Sequence, residues 1–137
     1  MYVVVNRCYG GFGLSIKGAY RFCQKKYGQA YVYKCNYFGE DRDCVRVPYS
    51  ADYKDALIYW VSPEDHKEPV NVNDMLTINS WDIRRDDPAL VATVRELGKE
   101  ANGECADLEI VEIPDDIKWH IEEYDGMEKV HEDHRSW

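Results

Sequence analysis

The chain has 137 residues, of which 45% are hydrophobic and 13% aromatic, and a net charge of −9 from 17 Lys and Arg against 26 Asp and Glu. This length and hydrophobic content predict one folded domain and exclude a chain that is disordered throughout. The negative charge disfavours binding to long DNA or RNA and to anionic membranes, because both carry the same sign. It does not exclude a small anion in an enclosed pocket.

The composition also bears on the cellular compartment. No apolar run is long enough to cross a membrane, and the apolar stretch over residues 1–6 is too short for a signal peptide. We therefore expect a soluble protein that stays in the cytoplasm where it is made. The cysteines are odd in number and form no CxxC pair, which favours free thiols in a reducing compartment over a disulfide framework. The five are Cys8, Cys23, Cys35, Cys44 and Cys105.

The N-terminal part of the chain predicts a strand, a glycine-rich loop and a helix. Tyr2–Val5 is a short β-branched run that is typical of a buried strand. The loop over residues 7–14 contains three glycines, and Ser15 then has the chemistry of a helix N-cap. Apolar residues follow at helical spacing until Gly28, which is typical of the residue that ends a helix.

The middle of the chain predicts further strands and a long loop. Residues 62–73 combine two prolines with two asparagines and show no periodicity, which indicates a surface loop. Residues 75–83 predict a strand that leads to Arg84 and Arg85. The other strands are predicted at residues 30–35, 45–49 and 57–61, with a charged turn at residues 39–43.

The C-terminal part predicts a helix followed by a hairpin. Asp87 and Pro88 have the chemistry of an N-cap and a first helical residue, and Gly98 follows the apolar stripe. Residues 108–113 and 117–121 alternate as two strands around a Pro-Asp-Asp turn, which predicts that they pair with each other.

The tail over residues 127–137 fits one amphipathic helix, because its apolar residues recur at helical spacing. Taken together, the predicted elements indicate a single small α+β domain over residues 1–137. We expect a mixed or antiparallel sheet with two to three helices packed on it.

The glycine loop is the first candidate for a binding site. A loop between a strand and a helix N-terminus presents backbone N–H groups to an anion, and Arg7 adds a planar cation. The spacing matches neither the dinucleotide fingerprint nor the P-loop, so a tight turn for helix packing is the competing interpretation. Tyr9 and Phe12, beside Gly10 and Gly11, favour a loop that stacks on a ring or packs against a partner chain.

The tail is the second candidate. On the predicted helix His131 and His134 share a face, but the sequence indicates no third protein ligand for a metal. With Arg135 they form an anion-binding set; the alternative is a solvated helix whose Arg135 and Trp137 pack at a subunit interface. Asn102 has the sequence context of a helix cap, with a ligand contact as the alternative. We expect neither a metal nor a cofactor.

The sequence contains no complete catalytic set. The acidic pairs at residues 115–116 and 122–123 lie in a predicted turn and on alternating strand faces, so neither forms an acid–base dyad. Cys8 could meet a histidine of the tail, although a free cysteine is more often a small buried apolar residue. We therefore favour binding over catalysis.

Both ends of the chain carry a family resemblance. The segments are the opening Val-Asn-Arg-Cys-Tyr-Gly-Gly-Phe-Gly-Leu-Ser, then Arg-Asp-Asp-Pro-Ala-Leu-Val with Glu-Leu-Gly-Lys-Glu-Ala-Asn-Gly, Leu-Glu-Ile-Val-Glu-Ile-Pro-Asp, and the ending from Glu-Glu-Tyr-Asp-Gly to His-Arg-Ser-Trp. They resemble the first Thoeris anti-defence family of small bacteriophage proteins. The resemblance covers roughly residues 3–15 and 84–137 and does not extend to residues 20–80.

The resemblance implies an α+β protein that binds and sequesters, without cleaving, a cyclic nucleotide signal of bacterial immunity. The implied signal is a glycocyclic ADP-ribose isomer, with cyclic oligonucleotides of CBASS systems as further ligands in some members. A homo-oligomer built from dimers, for which a hexamer is one arrangement, is implied in the host cytoplasm. The alternatives are a phosphodiesterase or nucleotidase that degrades such a signal, and an acidic inhibitor that binds a basic protein.

The chemistry of such a ligand selects the candidate residues. Aromatic rings stack on adenine, arginine binds the diphosphate, and glycine-loop amides reach the remaining oxygens. The predicted ligand-binding residues are Arg7, Tyr9, Gly10, Gly11, Phe12, Asn102, His131, His134 and Arg135.

Overall fold

The structure is a computed structural model that describes residues 1–35, 43–54 and 58–132. Within these ranges it has two α-helices and eight strands in antiparallel pairings, which confirms the predicted α+β class. None of the helices there is long and apolar enough to cross a membrane. The elements are β1 (Tyr2–Asn6), α1 (Ile16–Tyr27), β2 (Tyr31–Cys35), β3 (Asp43–Val47), β4 (Tyr59–Ser62), β5 (Val70–Asn71), α2 (Pro88–Leu97), β6 (Leu108–Glu112), β7 (Trp119–Tyr124) and β8 (Met127–Glu132).

The strands form three antiparallel sheets. β1 pairs with β6, the order β4-β2-β3-β5 makes the second sheet, and β7 with β8 forms a hairpin. Val4 lies opposite Ile110 in the first sheet, and His120 lies opposite His131 in the hairpin. The first sheet therefore joins the N-terminal strand to the C-terminal third of the chain.

Both helices begin where the sequence predicts. The Ser15 hydroxyl accepts a hydrogen bond from the Gly18 N–H at 3.0 Å, and the Asp87 carboxylate accepts one from Ala89 at 2.8 Å. Gly28 follows α1 with a φ of 82°, which L side chains rarely adopt. Local capping chemistry thus sets these helix ends.

The described residues form four apolar clusters, and three of them join the layers. The first packs both helices on β1, the second packs α1 on β2 and β4, and the third packs the hairpin on the first sheet. Their central residues are Val4, Phe22, Leu90 and Val94 in the first cluster, Cys23, Val32 and Val61 in the second, and Val3, Val5 and Ile113 in the third, against which Ile121 and Val130 of the hairpin pack.

The predicted strand over residues 75–83 is wrong. The chain there is irregular and ends in a 3₁₀ turn at Ser80–Asp82, because the Asn79 side chain accepts a hydrogen bond from the Trp81 N–H at 3.0 Å. Such Asn turns compete with strand formation. The predicted turn at residues 39–43 lies almost entirely outside the described residues.

The predicted pairing of residues 108–113 with 117–121 and the predicted tail helix are also wrong. β6 pairs with β1, and β8 is a strand that pairs with β7. Asp125 at φ 48° and Gly126 at φ 90° form a tight turn with the geometry that favours a two-stranded hairpin. That pairing outweighs the helical spacing of the tail, whose last residues 133–137 lie outside the described part of the chain.

The prediction of five free thiols is wrong as well, because Cys35 and Cys44 form a disulfide. The cysteines therefore no longer support a reducing compartment. They lie directly opposite each other on β2 and β3, and both are buried. An odd cysteine count excludes a complete disulfide framework but not one local bridge, and only the strand register brings this pair together. Cys8, Cys23 and Cys105 are free.

Thiol titration tests this arrangement. We expect three reactive thiols in the unfolded, unreduced protein and five after reduction. In the folded protein the exposed Cys105 should be alkylated first. Cys23 should stay unmodified at about pH 8, because burial raises its pKa to about 12 and only the thiolate reacts. Five thiols without reductant would contradict the disulfide.

A buried ion pair joins the hairpin to the rest of the fold. Glu128, on β8, is 5% exposed, and its carboxylate accepts hydrogen bonds from both terminal nitrogens of Arg85 at 3.1 and 3.0 Å. It also accepts the Asn6 N–H at 2.9 Å. Burial lowers the pKa of Arg85, and the negative charge of Glu128 opposes that shift. Both charges are therefore compensated inside the protein.

We expect Glu128→Gln to lower the free energy of unfolding by about 3 kcal/mol or more, because it leaves the buried Arg85 charge without its partner. The matched control is Glu109→Gln, which removes a solvent-exposed carboxylate 2.8 Å from Arg7 and should cost about 0–1 kcal/mol. Urea denaturation measures both. Equal losses would contradict a structural role for the Arg85–Glu128 pair.

Candidate functional site

A cleft of about 670 Å³ lies between the N-terminal end of α1 and the second sheet. This volume is within the usual range for small-molecule sites. We call it the α1 cleft. Its helix side consists of residues 12–16, 19 and 102–104, its sheet side of residues 51, 53, 54 and 59–61, and its rim of residues 78–81.

Aromatic rings form much of the lining. Tyr53 and Tyr59 stack almost parallel, with ring centroids 4.0 Å apart. Trp81 lies on the rim with 80% of its surface exposed. The Trp60 ring packs on the opposite face of the second sheet, with the cluster that contains Tyr33. An exposed indole beside a cleft presents an open flat face to a ligand ring.

The rim is fixed to both sides of the cleft by its backbone. The Ile78 N–H donates to the Val61 carbonyl at 2.8 Å on the sheet side. The Ser80 hydroxyl accepts from the Leu14 N–H at 3.3 Å on the helix side. The backbone of Trp81 is thus held in place while its ring stays exposed.

The electrostatics of the cleft come from one helix end and two side chains. Ser15 caps α1, whose N-terminal end carries a partial positive charge from the aligned peptide dipoles. Lys54 adds a full positive charge on the sheet side, and Glu104 adds a negative charge on the helix side. The cleft can therefore accept an anion, but only on part of its lining.

Gly10 and Gly11 of the predicted binding loop pack against the hairpin turn. Gly10, at φ 124°, donates its N–H to the Asp125 carbonyl at 2.9 Å. Gly126 approaches Gly11 so closely that a Cβ on Gly126 would overlap the Gly11 nitrogen. This contact packs the loop against the hairpin, which differs from the helix packing of the competing interpretation, and it occupies the Gly10 N–H within the protein.

The close approach predicts unequal costs for two glycine substitutions. Gly126→Ala should lower the free energy of unfolding by about 3 kcal/mol or more, because it adds an overlap to an unfavourable φ. Gly28→Ala has a similar φ of 82° but open space around the new Cβ, so it should cost about 1–2 kcal/mol. Urea denaturation compares the two, and equal costs would contradict the contact.

Two predicted ligand-binding residues line the cleft. Phe12 is 8% exposed and also lies beneath the Arg85 guanidinium, which is centred 3.5 Å from the ring. Asn102 lines the helix side, but its side-chain amide oxygen accepts the Leu108 N–H at 3.0 Å. Both residues therefore line the cleft, but Phe12 is covered by Arg85 and the Asn102 side chain is hydrogen-bonded to Leu108.

The other predicted residues are not brought together with these two. Arg7 donates to the Glu109 carboxylate at 2.8 Å and to the Glu128 carbonyl at 3.0 Å, outside the described lining of the cleft. Tyr9 is 60% exposed beside the hairpin turn, and Gly10 and Gly11 contact that turn. His134 and Arg135 lie outside the described residues.

His131 lies on the hairpin surface. Its Nε2 is 3.1 Å from one oxygen of Glu122, and the Nε2 of His120 is 3.0 Å from the other. The hydrogen bond from His120 and the charge of His131 lower the pKa of Glu122. Across the described ranges, no group of three His, Cys, Asp or Glu residues is placed to hold a metal ion.

Sequence reasoning missed the residues that give the cleft its chemistry, namely Tyr53, Lys54, Tyr59, Trp81 and Glu104. All except Glu104 come from the middle of the chain, where the pattern predicts only strands and loops. The one available signal is Asn79, because an Asn side chain can hydrogen-bond the backbone two residues on and so form an Asx turn at Trp81.

No protein-family model, curated protein or solved structure matches this chain.

Proposed function

We propose that the protein binds a small cyclic nucleotide in the α1 cleft and sequesters it without cleaving it. The observation that carries this proposal is a 670 Å³ cleft that combines an open indole with a helix N-terminus and a lysine. A nucleotide has the matching parts, a flat base and an anionic phosphate. The resemblance at both chain ends favours a cyclic ADP-ribose isomer as the ligand, with a cyclic oligonucleotide as the second choice.

The base stacks on Trp81 in this proposal. The facing surfaces of Tyr53 and Tyr59 already cover each other, whereas the Trp81 ring is four-fifths exposed on a backbone that is held from both sides. Because this backbone is already fixed, binding has to order only the side chain of Trp81. Stacking of a base on an aromatic side chain contributes about 1–3 kcal/mol.

The phosphates lie between the N-terminal end of α1 and Lys54. The helix end offers a fixed partial positive charge, and the lysine is a point charge on a flexible stem that adapts to the phosphate position. The net charge of −9 acts mainly against long polyanions, because a phosphate inside the cleft interacts first with these nearest groups.

The described lining favours holding the ligand over cleaving it. It includes no His or Cys, and the Ser15 hydroxyl donates to the Glu100 carbonyl at 2.5 Å. Its two charged side chains, Lys54 and Glu104, lie on opposite sides of the cleft. Hydrolysis of a phosphodiester needs an activated nucleophile or a positioned acid and base. His131, the acid–base candidate of the alternative hypothesis, lies on the hairpin beside Glu122.

Sequestration works by mass action, so each site must bind tightly and release slowly. The resemblance supports a homo-oligomer built from dimers in a host cytoplasm as the active form. Several cleft copies in one assembly would raise the binding capacity per particle without changing the chemistry of each cleft.

Recovery of the ligand tests the proposal. The protein is incubated with a cyclic ADP-ribose isomer, separated from unbound ligand by gel filtration and denatured by heat, and the released material is analysed by mass spectrometry. We expect intact ligand in proportion to the protein. A hydrolysed product, formed in excess over protein, would instead support a phosphodiesterase, and no retained ligand would contradict binding.

Substitution of Trp81 tests the location of the site. Trp81→Ala should weaken ligand binding about ten- to a hundredfold, because it removes the stacking surface, and Trp81→Phe should restore part of it. The control is Tyr124→Ala, which removes another ring that is 73% exposed, on the hairpin. Calorimetry measures the affinities. Unchanged binding by Trp81→Ala would place the ligand elsewhere.

A further inference from the structure

Glu104 is the feature of the α1 cleft that a phosphate site does not explain. The described lining contains two charged side chains, Lys54 on the sheet side and Glu104 on the helix side. A carboxylate repels phosphate, so Glu104 opposes any ligand that presents only anionic groups to this cleft. We therefore ask which part of the ligand, other than its phosphates, Glu104 could bind.

The backbone around Glu104 is fixed against the helix side. The Gly103 N–H donates to the Gly13 carbonyl at 2.8 Å, and the Ala106 N–H donates to the Gly103 carbonyl at 3.1 Å. A Cβ on Gly103 would lie 2.9 Å from the Gly13 carbonyl carbon, so only glycine allows this approach. The Glu104 side chain itself is exposed, and it has no ion pair with another described residue.

An ionised carboxylate only accepts hydrogen bonds, so the ligand group that it faces must be a donor. A nucleotide offers two kinds, the ribose hydroxyls and the amino group of the base. Adjacent ribose hydroxyls can donate to both carboxylate oxygens at once, whereas an amino group of a base stacked on Trp81 points along the ring plane. Acidic side chains bind ribose hydroxyls in this way in dinucleotide sites.

We infer that Glu104 binds the ribose hydroxyls of the ligand, so that the α1 cleft selects ribonucleotides over deoxyribonucleotides. This inference rests on the proposed function and adds the sugar to it. The base lies on Trp81, the phosphates face Lys54 and α1, and the ribose between them faces Glu104.

Calorimetric titration with ADP and 2′-deoxy-ADP tests the inference, because the two differ in one hydroxyl. We expect the wild-type protein to bind ADP about tenfold more tightly, as is typical for loss of a hydrogen bond to a charged group. Glu104→Ala should bring the ratio close to one, and Glu104→Gln, which keeps one acceptor oxygen, should leave an intermediate ratio. Lys54→Ala should weaken both nucleotides equally and keep the ratio.

The control is Glu112→Ala, which removes an exposed carboxylate on β6 and should leave the ratio unchanged. A wild-type ratio near one, a ratio that survives Glu104→Ala, or no binding of either nucleotide would overturn the inference. Each of these results can occur while the cyclic ligand is still recovered intact, which would leave the proposed function standing. Failure to retain the cyclic ligand would overturn both.

Discussion

The carboxylate of Glu128 is the point on which the arrangement of the N-terminal loop, the hairpin and the first sheet depends. It accepts hydrogen bonds from Asn6 on β1 and from Arg85 before α2, while its own strand belongs to the hairpin. Arg85 in turn covers the Phe12 ring, and its carbonyl accepts the Val4 N–H at 2.8 Å. Three parts of the chain that are distant in sequence, namely residues 4–12, Arg85 and Glu128, thus share one charged centre.

This centre also positions the α1 cleft. Phe12 contacts Arg85 on one side and lines the cleft on the other, and the residues that follow it lead directly to the N-cap of α1. Asn6 reinforces the same region, because its side-chain amide donates to the Gly126 and Cys8 carbonyls at 2.7 and 2.8 Å. A buried ion pair adds little net stability by itself, but it strongly penalises arrangements that separate its partners. The helix side of the cleft is therefore specified by contacts outside it.

The sequence predicts the local features of this fold and misses the distant ones. Ser15 and Asp87 identify the starts of α1 and α2 because a helix cap depends on a few adjacent residues. The pairing of β1 with β6 joins segments about 100 residues apart and depends on burial that only the folded chain defines. The sequence pattern predicts instead that residues 108–113 pair with the next strand along the chain. In the tail, the apolar spacing fits a helix, but the Asp125–Gly126 turn makes it a strand.

The residues of the cleft likewise differ in whether a local sequence motif identifies them. Phe12 and Asn102 could be predicted because the glycine loop and the end of α2 have recognisable chemistry. Lys54 and Glu104 belong to no motif, and only the folding of two separate segments places them in one cleft. Arg7 has the right chemistry for a diphosphate, yet a nearby carboxylate and carbonyl bind its guanidinium. Residue type alone cannot distinguish these outcomes.

The bond between Cys35 and Cys44 has a consequence for how the second sheet can open. It joins facing residues of β2 and β3 covalently, at a separation of nine residues along the chain. β2 also pairs with β4, whose Tyr59 and Val61 line the sheet side of the cleft. Because the bridged residues cannot separate, local opening of this sheet must begin at a place away from the bridge.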